Sequence, residues 1–538
     1  MHRGLLRRCR RQLCSAAPGA APKRFADLED HLSAATRKAL SAAGFAEMTP
    51  IQAETLPAAL EGADVLGRAK TGTGKTLAFI LPAVERMRRS SSKSVVKVLV
   101  LSPARELAMQ IHTEAAKLLH GEKAARGTRA LRAECVYGGR KITAETKRMR
   151  ADPPALLVAT PGRLQDHLGN TKGFAAMLAG VETLVLDECD QLLDGGFWPA
   201  IREILSFLPP PAKRQTLLFS ATMDKTMTRT AAEVLRPGYT IVDTVGKEEA
   251  TVSTVAHRVV TTPMERQLEA LSAELKRVQA SGPDHKAIVF FPTANATKYG
   301  AELFASAGFP VLEMHSRLSQ SRRQRVSKMF RESGRGKHTM LFSSDVSARG
   351  LDYPDVTHVL QVGVPSSREQ YIHRSGRTGR AGAEGEATLL LSEAEEPFVV
   401  HRLLGDLPLV KADAADGVAD EKILAEAKDG VDPTTVKKAY LAWLGYYNGL
   451  IGKKRLNWSK ERLVEEANAW CAVMGWREKK TPGLTKRLLG KMGLKGTPGL
   501  RVEEAAASGG GGPRRGGGGG GGRKRSGPPG RSGRRRSY

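Results

Sequence analysis

From Phe25 onward, short aliphatic or β-branched runs alternate with longer stretches of helical period. The runs at 98–101, 156–159, 184–186 and 216–219 each end on a polar motif, as the strands of an α/β parallel sheet do. Ligands gather at the carboxyl ends of the strands in such sheets, so four motifs at four strand ends imply one shared site. Residues 64–68 read as a further short strand, and 77–81 as the buried side of the helix that follows it. Residues 244–255 lack apolar periodicity and read as a linker. A second strand series then follows at 287–291, 339–342, 358–362 and 387–391. The expected architecture is therefore two tandem parallel-sheet lobes, at 25–243 and 256–412.

Beyond the second lobe the pattern changes character. Tyr440, Trp443, Leu444 and Tyr447 recur near helical spacing, and 463–470 reads as another helix, so 413–507 is expected to be a small helical extension. Its aromatic stripe reads as core packed on the second lobe rather than as a platform for stacking bases. Residues 508–538 are largely glycine and arginine with no core-forming run, a composition expected to stay disordered and to bind a nucleic-acid backbone without reading its sequence.

Charge sharpens this picture at the two ends. The 538 residues carry a formal net charge of +28, which points to a polyanionic partner. Residues 1–24 hold seven Arg or Lys and residues 508–538 hold nine, with no acid in either segment, so the middle is only moderately basic. The first segment is Arg-rich, with Leu5, Leu6 and Leu13 available for one helix face, and reads as an organelle transit peptide; the alternative is a basic arm that touches nucleic acid. No run of about 18 apolar residues is available to span a membrane. The five cysteines form no C-x-x-C pair, which argues for a reducing compartment: a mitochondrial matrix, or alternatively a plastid stroma.

The candidate chemistry is organised around Ala69-Lys70-Thr71-Gly72-Thr73-Gly74-Lys75-Thr76, a phosphate cradle between a strand and a helix. Its glycines let backbone N–H groups turn towards phosphates, Lys75 supplies a cation, and Thr76 offers a hydroxyl to Mg²⁺. The pattern's usual first glycine is here Ala69. At another strand end, Asp187 of Asp187-Glu188-Cys189-Asp190 suits the metal and Glu188 suits the attacking water. Gln52 has a donor and an acceptor that match the N6/N7 edge of adenine, with Phe45 close by and Phe25 upstream in the same nucleotide site. Ser220 and Thr222 close a strand and could relay between the nucleotide and the second lobe. That lobe has no cradle of its own but offers Arg377 and Arg380, three apart, as arginine fingers for one γ-phosphate when the lobes close.

In this order the motifs resemble those of the DEAD-box RNA helicase family, in a DECD variant, over about residues 25–410. The resemblance implies two RecA-like lobes that bind ATP and Mg²⁺ and close on a single RNA strand, bending it until its partner strand is expelled. It places Arg105, Gly139, Thr160, Gly162 and Arg163 on the RNA side of the first lobe, and Thr293, Gln320 and Arg323 on that of the second. It also places Gly350 and Asp352 at the ribose, and Asp190 and His373 beside Ser220 and Thr222 in coupling the lobes. Ala104 stands where the family usually has threonine, and Cys189 where it usually has alanine. Residues 491–500 and the helices before them resemble the extension of organellar members that act as general RNA chaperones in intron splicing. The expected activity is an RNA-stimulated ATPase that remodels RNA as a monomer with organellar ribonucleoprotein partners; the alternatives are an ATP-dependent RNA clamp without productive unwinding and a DNA translocase.

Overall fold

The computed structural model describes residues 24–503 except 70–71, 93, 121–129, 195, 224, 246–254, 283–284, 334–339, 348–352, 354, 380–382, 414–420, 453–455 and 479. Residues 1–23 of the proposed transit peptide and the whole Gly/Arg tail therefore lie outside the described residues. So do Lys70, Thr71, Gly350, Asp352 and Arg380.

Two seven-stranded sheets carry the fold. The first contains β1 (Val65–Arg68), β2 (Val98–Leu101), β3 (Ala133–Val136), β4 (Leu156–Ala159), β5 (Thr183–Leu186), β6 (Gln215–Ser220) and β7 (Thr240–Asp243), in the order β3-β4-β2-β5-β6-β1-β7. The second contains β8 (Val255–Thr262), β9 (Ala287–Phe290), β10 (Val311–Met314), β11 (Met340–Ser343), β12 (His358–Val362), β13 (Gly385–Ser392) and β14 (Leu409–Ala412), in the order β10-β11-β9-β12-β13-β8-β14. Every pairing in both sheets is parallel.

Parallel strands joined by helical crossovers are covered on both faces, so central strands must be apolar on both. In β2, Val98 and Val100 enter one core while Leu99 and Leu101 enter the other. In β9, Ala287 and Val289 part from Ile288 and Phe290 in the same way. The strands that the hydrophobic pattern did not announce include all four sheet edges, β3, β7, β10 and β14. Each edge strand contains a charged residue, namely Glu134, Asp243, Glu313 and Lys411. Charges on an edge discourage pairing with another chain, and the same charges break or cut short the apolar run that marks a strand in sequence.

The helical extension belongs physically to the second lobe. The helices Pro433–Gly452 and Lys460–Val473 bury Tyr440, Trp443, Leu444, Tyr447 and Trp470 in a hydrophobic core continuous with that of the second sheet. Trp443 and Tyr447 stack at 3.9 Å between ring centroids, and the Asn295 side-chain amide donates to the Lys438 carbonyl at 3.0 Å. The aromatic stripe is thus core, as its spacing suggested. Among the described residues no helix is long and apolar enough to cross a membrane.

Beneath the extension, Glu395 is buried and accepts hydrogen bonds from the Tyr447 hydroxyl and, at 2.8 Å, from the Ser392 N–H. Burial disfavours its ionised form more strongly than these two bonds favour it, and its pKa is pushed up to about 7. Because the folded value lies above the unfolded one, the stability contributed by the neutral carboxyl is fully present below the ordinary glutamate range and is lost as pH rises through about 7. The thermal midpoint is expected to fall between pH 6 and pH 8, with a shallower fall in Glu395→Gln. Equal slopes in paired melting curves would exclude Glu395 as the source.

Candidate functional site

The phosphate loop is shaped by two backbone turns and one amide. Gly72 and Gly74 have φ of 85° and 88°, in the left-handed region where a Cβ is strained. The helix Lys75–Arg89 starts directly after Gly74 and aims its N-terminus at the loop. Gln52 holds the loop from below: its side-chain N–H donates to the Gly74 carbonyl at 3.0 Å, and its oxygen accepts from the Thr49 N–H at 2.9 Å. A Cβ on Gly74 would come within 2.4 Å of that amide, so Gly74 is required by approach as well as by φ. Gln52 therefore braces the phosphate loop while keeping one further donor and one further acceptor. Phe25 is buried and lies 6.4 Å from the partly exposed ring of Phe45, which leaves Phe45 as the open aromatic face.

The end of β5 supplies the acids. Ala69 donates its N–H to the Ser220 carbonyl at 3.1 Å, and Asp187 donates its own to Leu101 at 3.0 Å, which fixes the loop at the end of β1 and the acidic turn at the end of β5, on either side of β6. Lys75 Nζ lies 3.2 Å from Glu188 Oε1, and both side chains are buried. Burial alone would depress the lysine, but the charges of Glu188, Asp187 and Asp190 outweigh it and hold the ammonium above its ordinary value. Burial also pushes Asp187 up to about 7, helped by the charge of Glu188 and opposed by that of Lys75. Glu188 has φ of 49°, a left-handed conformation that costs a non-glycine residue on the order of 1–3 kcal/mol. The strained turn brings Asp187, Glu188 and Asp190 around one lysine.

Three carboxylates around one ammonium leave an excess of negative charge. Asp187 Oδ1 and Glu188 Oε2 are buried and accept no hydrogen bond among the described residues. All-oxygen donors with unused lone pairs, close to the helix turn that carries Lys75 and Thr76, fit a hard divalent cation such as Mg²⁺.

The second lobe reaches this site through Asp190. Its carboxylate accepts from the Thr222 hydroxyl at 3.2 Å and lies 3.6 Å from His373 Nε2, so one side chain touches both lobes. Ser220 is buried and its hydroxyl accepts from the Thr222 N–H at 3.3 Å, which fixes the turn that presents Thr222. His373 lies on the helix Arg368–Ser375; just beyond it, buried Arg377 donates its Nε–H to the His373 carbonyl at 3.2 Å. Sequence reading did not single out Arg374, whose Nε–H donates to Asp345 at 2.8 Å, or Asp345 itself. The alternation of Arg and Gly in 374–380 drew attention only to the later arginines.

The remaining sequence candidates form a second cluster. Arg105 lies against Gly138 and Gly139, where a Cβ on Gly139 would meet its guanidinium at 2.7 Å. Gly162 is exposed, with no atom within 4 Å of a would-be Cβ, so an incoming chain can approach its backbone closely. Thr160 precedes it at the start of the helix Pro161–Asn170. Arg163 is turned inward. It donates to the Arg140 carbonyl at 2.6 Å and lies 3.6 Å from buried Glu145, so it ties the 138–140 loop to the 160–163 loop. From the second lobe, Arg323 pairs with Glu106 at 2.7 Å and Gln320 donates to the same carboxylate at 3.1 Å. Thr293 caps its helix by accepting from the Ala296 N–H at 3.1 Å. The structure thus brings Gln320 and Arg323 to the first lobe, while Thr293 stays within its own.

Comparison with known proteins agrees with this geometry. The family model for the DEAD/DEAH box helicase matches residues 49–230, and that for the helicase conserved C-terminal domain matches residues 266–382. DEAD-box ATP-dependent RNA helicase 26 of Oryza sativa subsp. japonica is 44% identical over 468 residues, covering 86% of this chain and 84% of its own. DEAD-box ATP-dependent RNA helicase 25 of Arabidopsis thaliana is 42% identical over 481 residues, covering 88% and 82%. Among solved structures, Mss116p with its NTE and C-tail deleted, bound to ssRNA and AMP-PNP, superposes with a TM-score of 0.78 at 29% identity, covering 90% of this chain and 98% of that one. S. cerevisiae Dbp5 bound to RNA and ADP BeF3 shares the fold at a TM-score of 0.59 and 23% identity, but covers only 75% of this chain. With both family models matched in order and relatives more than 40% identical over most of their length, this chain belongs to the DEAD-box RNA helicase family.

Proposed function

We propose that this protein is an organellar RNA chaperone, an RNA-stimulated ATPase that uses closure of its two lobes to remodel RNA. The observation that carries the ATP-driven part is Asp190, which sits next to Glu188 and touches Thr222 of one lobe and His373 of the other. A site completed only when the lobes meet couples nucleotide state to lobe position. In this reading Lys75 and the amides of the phosphate loop bind the triphosphate, Glu188 orients and deprotonates the attacking water, and Arg377 offsets charge developing on the γ-phosphate. Thr76 and Asp187 would hold Mg²⁺, which when bound neutralises charge on the phosphates. The backbone at Gly139 and Gly162 gives RNA a close approach in the first lobe, with Gln320 and Arg323 bringing the second lobe alongside. The organellar setting is supported by the acid-free, Arg-rich residues 1–24, and the chaperone role by the resemblance of the extension.

The experiment that tests this function compares ATPase stimulation by single-stranded RNA and DNA of one sequence, together with displacement of a strand from a short duplex. RNA-specific stimulation with displacement is expected, because 2′-hydroxyls distinguish the two polymers. Equal stimulation by DNA would favour a DNA translocase, and RNA stimulation without displacement a clamp.

Two sets of substitutions probe the nucleotide site. Lys75→Ala removes the phosphate cation and should weaken ATP binding, whereas Glu188→Gln keeps binding and lowers turnover roughly 10²–10⁴-fold. Indistinguishable ATP affinities for the two variants, measured by titration, would remove the division of roles. Arg377→Lys should lower RNA-stimulated turnover by up to about 10³-fold while the nucleotide affinity of the RNA-free protein changes little. A loss seen only in nucleotide affinity would make Arg377 a ground-state ligand.

A further inference from the structure

The extension touches the second lobe at a point that leads directly to the nucleotide-facing helix. The loop 363–367 leaves β12 and ends at Ser367, the cap of the helix Arg368–Ser375. Both peptide groups of Val364 in this loop are held by side chains of the extension. The Val364 N–H donates to the Tyr447 hydroxyl at 3.3 Å, and the Val364 carbonyl accepts from the Tyr446 hydroxyl at 2.9 Å. The Tyr447 hydroxyl in turn donates to buried Glu395, so it is saturated on both sides. Gly363 completes the socket: its φ is 76°, and a Cβ there would stand 2.6 Å from the Tyr447 oxygen. These residues form a socket in the second lobe that receives one tyrosine pair.

What the socket fixes is the start of the helix that presents His373 to Asp190 and continues to Arg377. The Ser367 hydroxyl accepts from the Gln370 N–H at 3.2 Å, and the Gln370 side chain accepts from the Ser366 N–H at 2.5 Å, so the loop and the first helical turn are one hydrogen-bonded unit. The far end of the helix is held separately, by Gln361 donating to the Ser375 hydroxyl at 3.0 Å. We infer that Tyr446 and Tyr447 are positioning residues for ATP hydrolysis, setting through Val364 the placement of the helix that carries His373 and leads to Arg377. Helical extension and ATPase site are then mechanically continuous, and loosening the extension misplaces the arginine without touching the phosphate loop. This inference rests on the assignment of Arg377 to the nucleotide.

The test uses the full chain and hydroxyl-only deletions. Tyr447→Phe keeps the ring stacked on Trp443 but removes the bonds to Val364 and Glu395. Tyr446→Phe, at a half-buried side chain, removes the bond to the Val364 carbonyl with less risk to folding. Tyr440→Phe is the control, because its hydroxyl donates to Asn468 at 3.1 Å within the extension and touches nothing in the 363–367 loop. At saturating RNA and ATP, Tyr447→Phe is expected to lower kcat about ten- to a hundredfold with the KM for ATP changed less than about threefold. Tyr446→Phe should move kcat in the same direction by less, and Tyr440→Phe should leave it nearly unchanged despite a comparable loss of thermal stability. Equal kcat in Tyr447→Phe and Tyr440→Phe, or a loss confined to KM, would overturn the inference. Arg377→Lys measured alongside separates the two levels: full turnover in that variant overturns the underlying assignment, whereas collapse there with intact kcat in Tyr447→Phe overturns the positioning role alone.

Discussion

Three buried carboxylates arranged around a single ammonium are the constraint on which the rest of this structure turns. Lys75 stands 3.2 Å from Glu188, with Asp187 and Asp190 adding to the same field. Unshared charge of this kind is costly away from water, on the order of several kcal/mol per ion, and is tolerated where a ligand completes the balance. The fold supports the cluster by converging strands whose carboxyl ends all open on one edge, and by holding Glu188 in a left-handed turn at φ 49°. Asp190 spends its carboxylate on Thr222 and His373, so the charge balance of the first lobe is tied to the approach of the second.

Loops proposed to face RNA must be both exposed and exact. Backbone presented to a polymer has few contacts of its own to hold it in place. Here Arg163 turns inward and connects the 160–163 segment to Arg140, while Glu145 takes up the arginine's charge from below. Arg105 rests on Gly138 and Gly139, so three separate stretches of sequence form one platform. Arg163, one of three arginines that sequence reading placed on the RNA side, is the one whose guanidinium holds two loops together.

The extension illustrates the difference between an appended module and a structural layer. Its aromatic residues share a core with the second sheet, and Tyr447 stacks on Trp443 at 3.9 Å while its hydroxyl reaches Glu395. Rings that bury about 150–250 Å² each bind such a layer firmly, and the polar tip of a tyrosine must then find a partner. That requirement brings the extension into contact with Val364 and the helix beyond it.

Much of this was legible in the sequence because its causes are local. A strand buried on both faces must be a run of apolar residues, so β2, β4, β5 and β6 announced themselves, and the cradle at 69–76 depends on residue types whose order alone implies a phosphate. The edge strands were not legible, since Glu134, Glu313 and Lys411 interrupt the hydrophobic pattern that marks a strand, and β7 has only Ile241 and Val242 between Thr240 and Asp243. Nor could sequence show that Arg163 and Arg323 end on Glu145 and Glu106, because nothing in the type of a residue says which way its side chain turns once the chain has folded. The same holds for Asp345 with Arg374 and for the two tyrosines on Val364, which are separated by 29 and by more than 80 positions along the chain. Residue type and spacing determined what chemistry this protein carries; only tertiary structure, which sets distant charges and hydroxyls within 3 or 4 Å of each other, decided which side chains pair with one another and which hold the others in place.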